Sequence, residues 1–303
     1  MTGKRAAMGV KVDSPHVGNG ELASLLAIAR DLASRHREFG SVPDLDMATA
    51  GRFFENCLGL LFPHHAQPRP RSEREIEARL IEILGRLRYM LCEVMPDQCE
   101  RAWDIARRFV ARLPMIAGAL KLDAEAMLEG DPAANSLDEV ILAYPGLYAV
   151  AAYRLAHELA CEGVPLLPRL ISEHAHRLTG IDINPGARIG RSFCIDHGTG
   201  IVIGETAVIG DRVKIYQGVT IGALSVKRAF KGKKRHPTIE DDVVIYSGAT
   251  ILGGETVIGR GSIIGGNVWI TRSVPPGSRV MYRSTGWQGR HEPEPERPDD
   301  FVI

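Results

Sequence analysis

Between Ile183 and Ile270 an isoleucine returns at every sixth position. The phases run Ile183, Ile189, Ile195, Ile201; then Ile203, Ile209, Ile215, Ile221; then Ile239, Ile245, Ile251; and last Ile258, Ile264, Ile270. A helix needs apolar spacings of three and four, and a lone strand needs two, so this rhythm fits neither. It fits a hexapeptide β-helix, in which each unit is a short parallel strand plus a turn and three units close one triangular coil. The in-phase side chains stack inside, each coil covering the face of the next. Gly190, Gly204, Gly210, Gly222 and Gly259 directly follow the aliphatic position, where the turn tolerates little bulk. A sandwich of short strands is the alternative, and it gives no reason for a period of six.

Upstream the period changes. Leu22, Leu25, Leu26, Ala29 and Leu32 recur at three and four, with Ile28 beside the stripe, and predict an amphipathic helix. Further helices are predicted near 46–60, 73–93, 97–112, 115–129, 136–143, 146–162 and 165–179. Pro43, Pro63, Pro96, Pro114, Pro132, Pro145 and Pro165 punctuate them. The expected class is therefore α+β, with a disordered N-terminus over 1–19, an all-α domain over 20–180 and a β-helix over 181–283. An extended tail follows over 284–303. Arg69, Arg71 and Arg74, beside Glu73 and Glu75, read as a solvated helix start, and the His64-His65 pair as a loop feature rather than a ligand set.

Composition narrows the function. The chain has 303 residues, enough for two cores, and its 37 basic and 37 acidic residues give no global bias towards nucleic acid. Cys57, Cys92, Cys99, Cys161 and Cys194 show no metal spacing, and their odd number suggests reduced thiols in a cytoplasm. No apolar run reaches membrane-spanning length, and the first residues lack the apolar stretch of a secretory signal. The tail alternates Pro and acid, so it should stay extended. Its last residues, Phe301, Val302 and Ile303, suit docking into another protein's pocket.

The candidate chemistry lies where the repeat is interrupted. Ile195 is followed by Asp196-His197-Gly198-Thr199-Gly200, and a two-residue slip comes next. The slip should expose the preceding turn and put His197 at the surface. Histidine can take and return a proton near neutrality, and a carboxylate is needed to orient its ring. Asp182 should lie about one layer away, whereas Asp196 should point elsewhere and could bind a cationic substrate group. The second interruption runs from Ile221 to Ile239. It is as long as one coil, but its hexad positions are Lys227 and Lys233, which cannot stack in a core. Residues 224–235 should therefore leave as a loop. Lys227, Arg228, Lys231, Lys233, Lys234 and Arg235 could be solvated, or could hold a carboxylate or cofactor phosphates.

These residues resemble the serine O-acetyltransferase family. The resemblance is carried by Asp182-Ile-Asn-Pro185, Ile189-Gly-Arg-Ser, Ile195-Asp-His-Gly-Thr-Gly-Ile201, Gly204-Glu-Thr-Ala-Val-Ile209, Arg235-His-Pro237 and Val274-Pro-Pro276. Asp131-Pro-Ala133 and Ala152-Tyr-Arg-Leu-Ala-His157 extend it into the helical domain. Asn184 departs from it, since the family more often has His there, and the region before about 120 looks like a longer bacterial variant of the family. The resemblance implies a left-handed parallel β-helix and acetyl transfer from acetyl-CoA to L-serine, in a homotrimer or hexamer. It implies His197 as base, oriented by Asp182. It places the serine ammonium on Asp131 and Asp196 and the serine carboxylate on Arg235 and His236. A backbone N–H at Gly222-Ala223 would steady the oxyanion, and acetyl-CoA would lie against Gly222, Ala223, Ser247, Gly248 and Gly266, between two prisms. No metal and no permanently bound cofactor is implied. L-cysteine would inhibit at the serine site, and Ile303 would insert into O-acetylserine sulfhydrylase. Two alternatives remain: a hexapeptide acyltransferase for another hydroxyl acceptor, and a non-catalytic scaffold acting through its tail. A metal-dependent carbonic anhydrase would need three ligating histidines, and only His197 and His236 are plausible.

Overall fold

The computed structural model describes residues 19–38, 40, 43–225 and 232–282. The expectations for the N-terminal segment, for Lys227, Arg228 and Lys231, and for the tail with Ile303 lie outside the described residues. The chain divides into two units, Met1–Asp44 and Leu45–Ile303. The first contains α1 (Asn19–Glu38), which carries the expected row of exposed Leu22, Leu25, Leu26 and Leu32.

The second unit begins with α2 (Met47–Leu61), α3 (Glu73–Val94), α4 (Cys99–Gly130), α5 (Leu137–Ala143), α6 (Pro145–Cys161) and α7 (Leu167–Thr179). Their starts follow capping chemistry. Asp46, Ser72 and Ser136 each accept the backbone N–H three residues on, and Glu75 reaches back to Arg71 N–H, so the charged run there is a helix start. His64 and His65 form a short 3₁₀ turn (Pro63–His65) and bond Asp138 and the Ile141 carbonyl of α5. The two helices expected on either side of Pro114 are in fact one. Proline there costs about 3 kcal/mol. The buried row Ile105, Phe109, Leu113, Ile116, Leu120 and Met127 continues across it, and each large side chain returns about 1.5–3 kcal/mol.

Among the described residues fourteen short strands, numbered in chain order, then form three parallel ladders. The first contains β1 (Asp182–Ile183), β4 (Val202–Ile203), β7 (Thr220–Gly222), β10 (Thr250–Leu252) and β13 (Trp269–Ile270). The second contains β2 (Arg188–Ile189), β5 (Val208–Ile209), β8 (Thr238–Ile239) and β11 (Val257–Ile258). The third contains β3 (Cys194–Asp196), β6 (Lys214–Tyr216), β9 (Val244–Ile245), β12 (Ile263–Ile264) and β14 (Arg279–Val280). Isoleucines pair with isoleucines in register, as in Ile183↔Ile203↔Ile221↔Ile251↔Ile270. Of the in-phase set only Ile189 is half-buried; the others form the core. Both interruptions of the repeat are absorbed in the edges between ladders. Ile201 is buried at one such edge while Ile203 takes the strand position. Ile221 and Ile239 lie on adjacent ladders, so the interval, although as long as one coil, spans a single edge.

The turn glycines are required by close approach, not by positive φ. A Cβ on Gly204 would lie 2.0 Å from the ring of His236, and one on Gly210 would lie 2.2 Å from Asp241 Oδ1.

The first coil has no coil beneath it, and an open sheet edge leaves backbone groups unpaired. Helices α4 and α6 supply the partners. Tyr153 Oη donates to the Ala187 carbonyl (2.9 Å) and accepts Ile189 N–H (3.1 Å). His157 Nδ1 bonds the Pro185 carbonyl (2.8 Å) and Arg154 Nη2 donates to that of Gly190 (2.8 Å). Asp123, fully buried on α4, accepts Phe193 N–H (2.9 Å) and a forked pair from Arg154 (2.5 and 2.7 Å). Burial pushes the Asp123 carboxyl up, and Arg154 pulls it back.

Removing one partner of a buried pair strands the other. Asp123→Ala should therefore cost about 3–5 kcal/mol in urea unfolding, and a loss below about 1 kcal/mol, the scale of a surface pair, would contradict this account of the cap. Gly204→Ala should destabilise by about 1–3 kcal/mol, since the His236 ring must move. Gly85→Ala, in α3 with open space at its Cβ, should instead stabilise by about 0.5–1 kcal/mol. Equal effects would remove the steric explanation.

Candidate active site

Two edges of the prism carry the expected residues. The first lies between the third and first ladders. Asp196 ends β3, and His197 turns the chain with φ 56°, followed by Gly198 at 93°. A non-glycine residue in the left-handed region is uncommon, and Ser192, Arg212, Asp242 and Asn267 share it at other turns of the prism. The turn leaves the His197 side chain 60% exposed, as the slip predicted. Below it the edge forms a column: Gly218 N–H bonds the Thr199 carbonyl, Gly248 N–H that of Gln217, and Asn267 N–H that of Ser247. Ser247, Gly248 and Gly266 therefore fall in the same column as His197. A Cβ on Gly266 would sit 3.1 Å from the Ser247 carbonyl oxygen, so the column is lined by little bulk.

The carboxylates differ from expectation. Asp196 does not point away: its Oδ1 lies 3.7 Å from His197 Nε2. Asp182 is one layer off, paired in register with Val202, but its ion-pair contact is with Arg169 Nη1 at 3.7 Å, not with His197. Asp131 follows the last turn of α4 and accepts Tyr144 Oη (2.5 Å) and Ala133 N–H (2.8 Å). The Tyr144 bond first, then that of Ala133, holds Asp131 below the usual carboxylate range, and Lys214 and His197 add to this. Asp131, Asp196 and His197 thus share one corner. Tyr144 and Arg169 lie outside the repeat, and Lys214 is an ordinary strand position within it, which is why the sequence pattern does not single them out.

The second edge lies between the first and second ladders and holds Gly222, Ala223, Arg235 and His236. Arg235 is ion-paired with Glu205. His236 Nδ1 accepts Thr206 N–H (3.0 Å) and lies 2.9 Å from Thr206 Oγ1. That hydroxyl accepts the N–H groups of Arg235 and His236, so it donates to the ring. This network assigns the ring hydrogen to Nε2. Burial, with Arg235 nearby, pushes His236 down to about 4. His236 is therefore a neutral donor at neutral pH. Lys234 donates to the Thr206 and Pro237 carbonyls (2.9 and 3.0 Å) and closes the edge, so it is not left for a phosphate. Asn184 closes a turn by accepting Gly186 N–H (2.9 Å).

Among the described residues Glu173, His176 and Asp182 offer ligand atoms within 4.8 Å of one another, but Arg169 already lies against both carboxylates. A cleft of about 350 Å³ lined by Thr49, Phe53, Gly85, Arg86, Tyr89 and Met90 contains none of the acid–base residues. The chemistry sits on exposed edges instead.

No family model matches the chain. It is 58% identical over 186 residues to "Serine acetyltransferase, plasmid" of Synechococcus elongatus, covering 60% of this chain and 58% of that protein's length. It is 46% identical over 185 residues to the serine acetyltransferase of Mycobacterium tuberculosis, covering 61% of this chain and 79% of the relative. The crystal structure of Entamoeba histolytica serine acetyltransferase 1 in complex with L-cysteine superposes with a TM-score of 0.69 at 37% identity, over 75% of this chain and 85% of that one. Isoform 3 from the same organism, in complex with cysteine, gives 0.71 at 36%, over 79% and 84%. With its helical domain, its left-handed parallel β-helix and the His197 corner in place, the chain belongs to the serine acetyltransferase family.

Proposed function

We propose that the protein transfers the acetyl group of acetyl-CoA to the hydroxyl of L-serine, giving O-acetyl-L-serine and CoA. The observation that carries this reading is the exposed His197, set beside Asp196 and Asp131 at the head of a column of small residues. His197 Nε2 takes the serine hydroxyl proton, and the oxygen attacks the thioester carbon directly. The tetrahedral oxyanion is met by a backbone N–H at Gly222-Ala223. The carbon–sulfur bond then breaks, and the imidazolium returns its proton to the CoA sulfur. Asp196 is the carboxylate nearest the ring, and Asp182 joins it only if Arg169 releases it.

Asp131 and Asp196 would take the serine ammonium, while Arg235 and the neutral His236 Nε2–H would take its carboxylate. Within one chain these two sets lie at different edges. We therefore assign the complete site to the junction of two copies, in a trimer or a hexamer built from trimers. Acetyl-CoA lies along Ser247, Gly248 and Gly266 of one prism, facing Gly222 and Ala223 of the next. The two Entamoeba proteins hold cysteine. The same ammonium and carboxylate contacts would accept L-cysteine here, as an inhibitor competing with serine. Among the described residues no helix is long and apolar enough to cross a membrane; a cytoplasmic setting, and docking of Ile303 into O-acetylserine sulfhydrylase, complete the proposal.

Release of thiol from acetyl-CoA, dependent on L-serine, is the expected activity. His197→Ala should lower turnover by about 10²–10⁴, the usual contribution of a general base, with acetyl-CoA binding little changed. Near-normal turnover in that variant would mean that another group removes the proton.

A further inference from the structure

Lys214, on β6, lies outside every motif named above, yet its ammonium touches both halves of the ammonium-binding corner. Its side chain is 17% exposed. Nζ lies 3.0 Å from Asp196 Oδ2 and donates to the Gly130 carbonyl at 2.5 Å. It also stands 4.5 Å above the ring of Tyr216, which stacks on Tyr246 at 5.1 Å. Gly130 is the last residue of α4, immediately before Asp131, and Asp196 immediately precedes His197. One nitrogen therefore fixes the residue before the first carboxylate and the residue before the base. Room for it is limited, because a Cβ on Gly130 would come within 3.5 Å of Nζ. Burial works against the charge of Lys214, but Tyr216 and Asp196 outweigh it and hold its pKa above the usual lysine value.

Charge balance gives the arrangement a consequence. The corner contains two carboxylates, Asp131 and Asp196, and a substrate with one ammonium can neutralise only one of them. Lys214 offsets one of those charges from inside the protein, so Asp131, oriented by Tyr144, and Asp196 together present one net negative charge to the substrate. We propose that Lys214 is a positioning residue, which ties Asp196 and the end of α4 together so that Asp131 and Asp196 meet a single substrate ammonium group. This rests on the acetyl-transfer reading above and keeps Asp131 and Asp196 as its ammonium ligands.

Lys214→Met keeps the apolar stem over Tyr216 and removes the nitrogen. The KM for L-serine should rise about tenfold, the scale of one lost charge-assisted hydrogen bond. The KM for acetyl-CoA should stay within about twofold, because the column proposed for it lies away from Nζ, and kcat should fall by less than the serine KM rises. Lys214→Arg, which restores the positive charge, should recover most of the serine affinity. If Lys214→Met does not fold, Lys214→Gln, which can still donate to the Gly130 carbonyl, carries the same expectation. A serine KM unchanged in the folded variant, or equal losses towards both substrates, overturns the assignment while leaving acetyl transfer intact. A wild-type protein that releases no thiol with serine overturns both.

Discussion

A parallel solenoid cannot end on bare sheet edge, and the rest of this structure depends on how the first coil is closed. Its backbone would offer the Ile189 and Phe193 N–H groups and the Pro185, Ala187 and Gly190 carbonyls to whatever lies beneath. Tyr153, Arg154 and His157 of α6 and Asp123 of α4 take all five. The price is a buried ion pair between Arg154 and Asp123, which is stable only because its remaining lone pairs and protons are used by the backbone. This fixes α4 against the third ladder. The helix ends where Lys214 holds its last carbonyl, and Asp131 then stands at the corner where Asp196 and His197 turn. Closure of the fold and assembly of half the proposed site are thus one set of contacts.

The isoleucine stacks make the second contribution. Because each ladder repeats the same side chain in register, a change in chain length between strands cannot be absorbed in the core without breaking a stack. The edges absorb it. The slip after Gly200 leaves His197 in a left-handed turn, and the long excursion between β7 and β8 brings Arg235 and His236 back onto a different edge, held by Glu205 and Thr206. Irregularity is thus confined to two edges, and both hold residues of the proposed site.

How much of this is legible in the sequence follows from the range of each signal. The stacks, the turn glycines, most helices and the exposure of His197 are local or periodic, and all could be read from spacing. The break expected at Pro114 is absent because burial along α4 outweighs a local cost. The pairing expected between His197 and Asp182 is replaced by Asp196 and Arg169, since spacing does not reveal the direction of a ring. The capping roles of Tyr153, Arg154 and His157 lie within the stretch that carries the family resemblance, but nothing in their order says which carbonyls they meet. Lys214 reads as an ordinary outward strand residue until α4 is placed over it.

The central claim is that the two edges act on one substrate only when two copies meet. Co-expressing His197→Ala and Arg235→Ala chains tests it most directly, by kcat/KM for L-serine in the purified mixed oligomers. A site shared across a closed ring should be restored whenever an intact His197 meets an intact Arg235 from the neighbour, so activity should rise to about a quarter of wild type. Activity no higher than the mean of the two single variants would contradict the account and return the whole site to one chain.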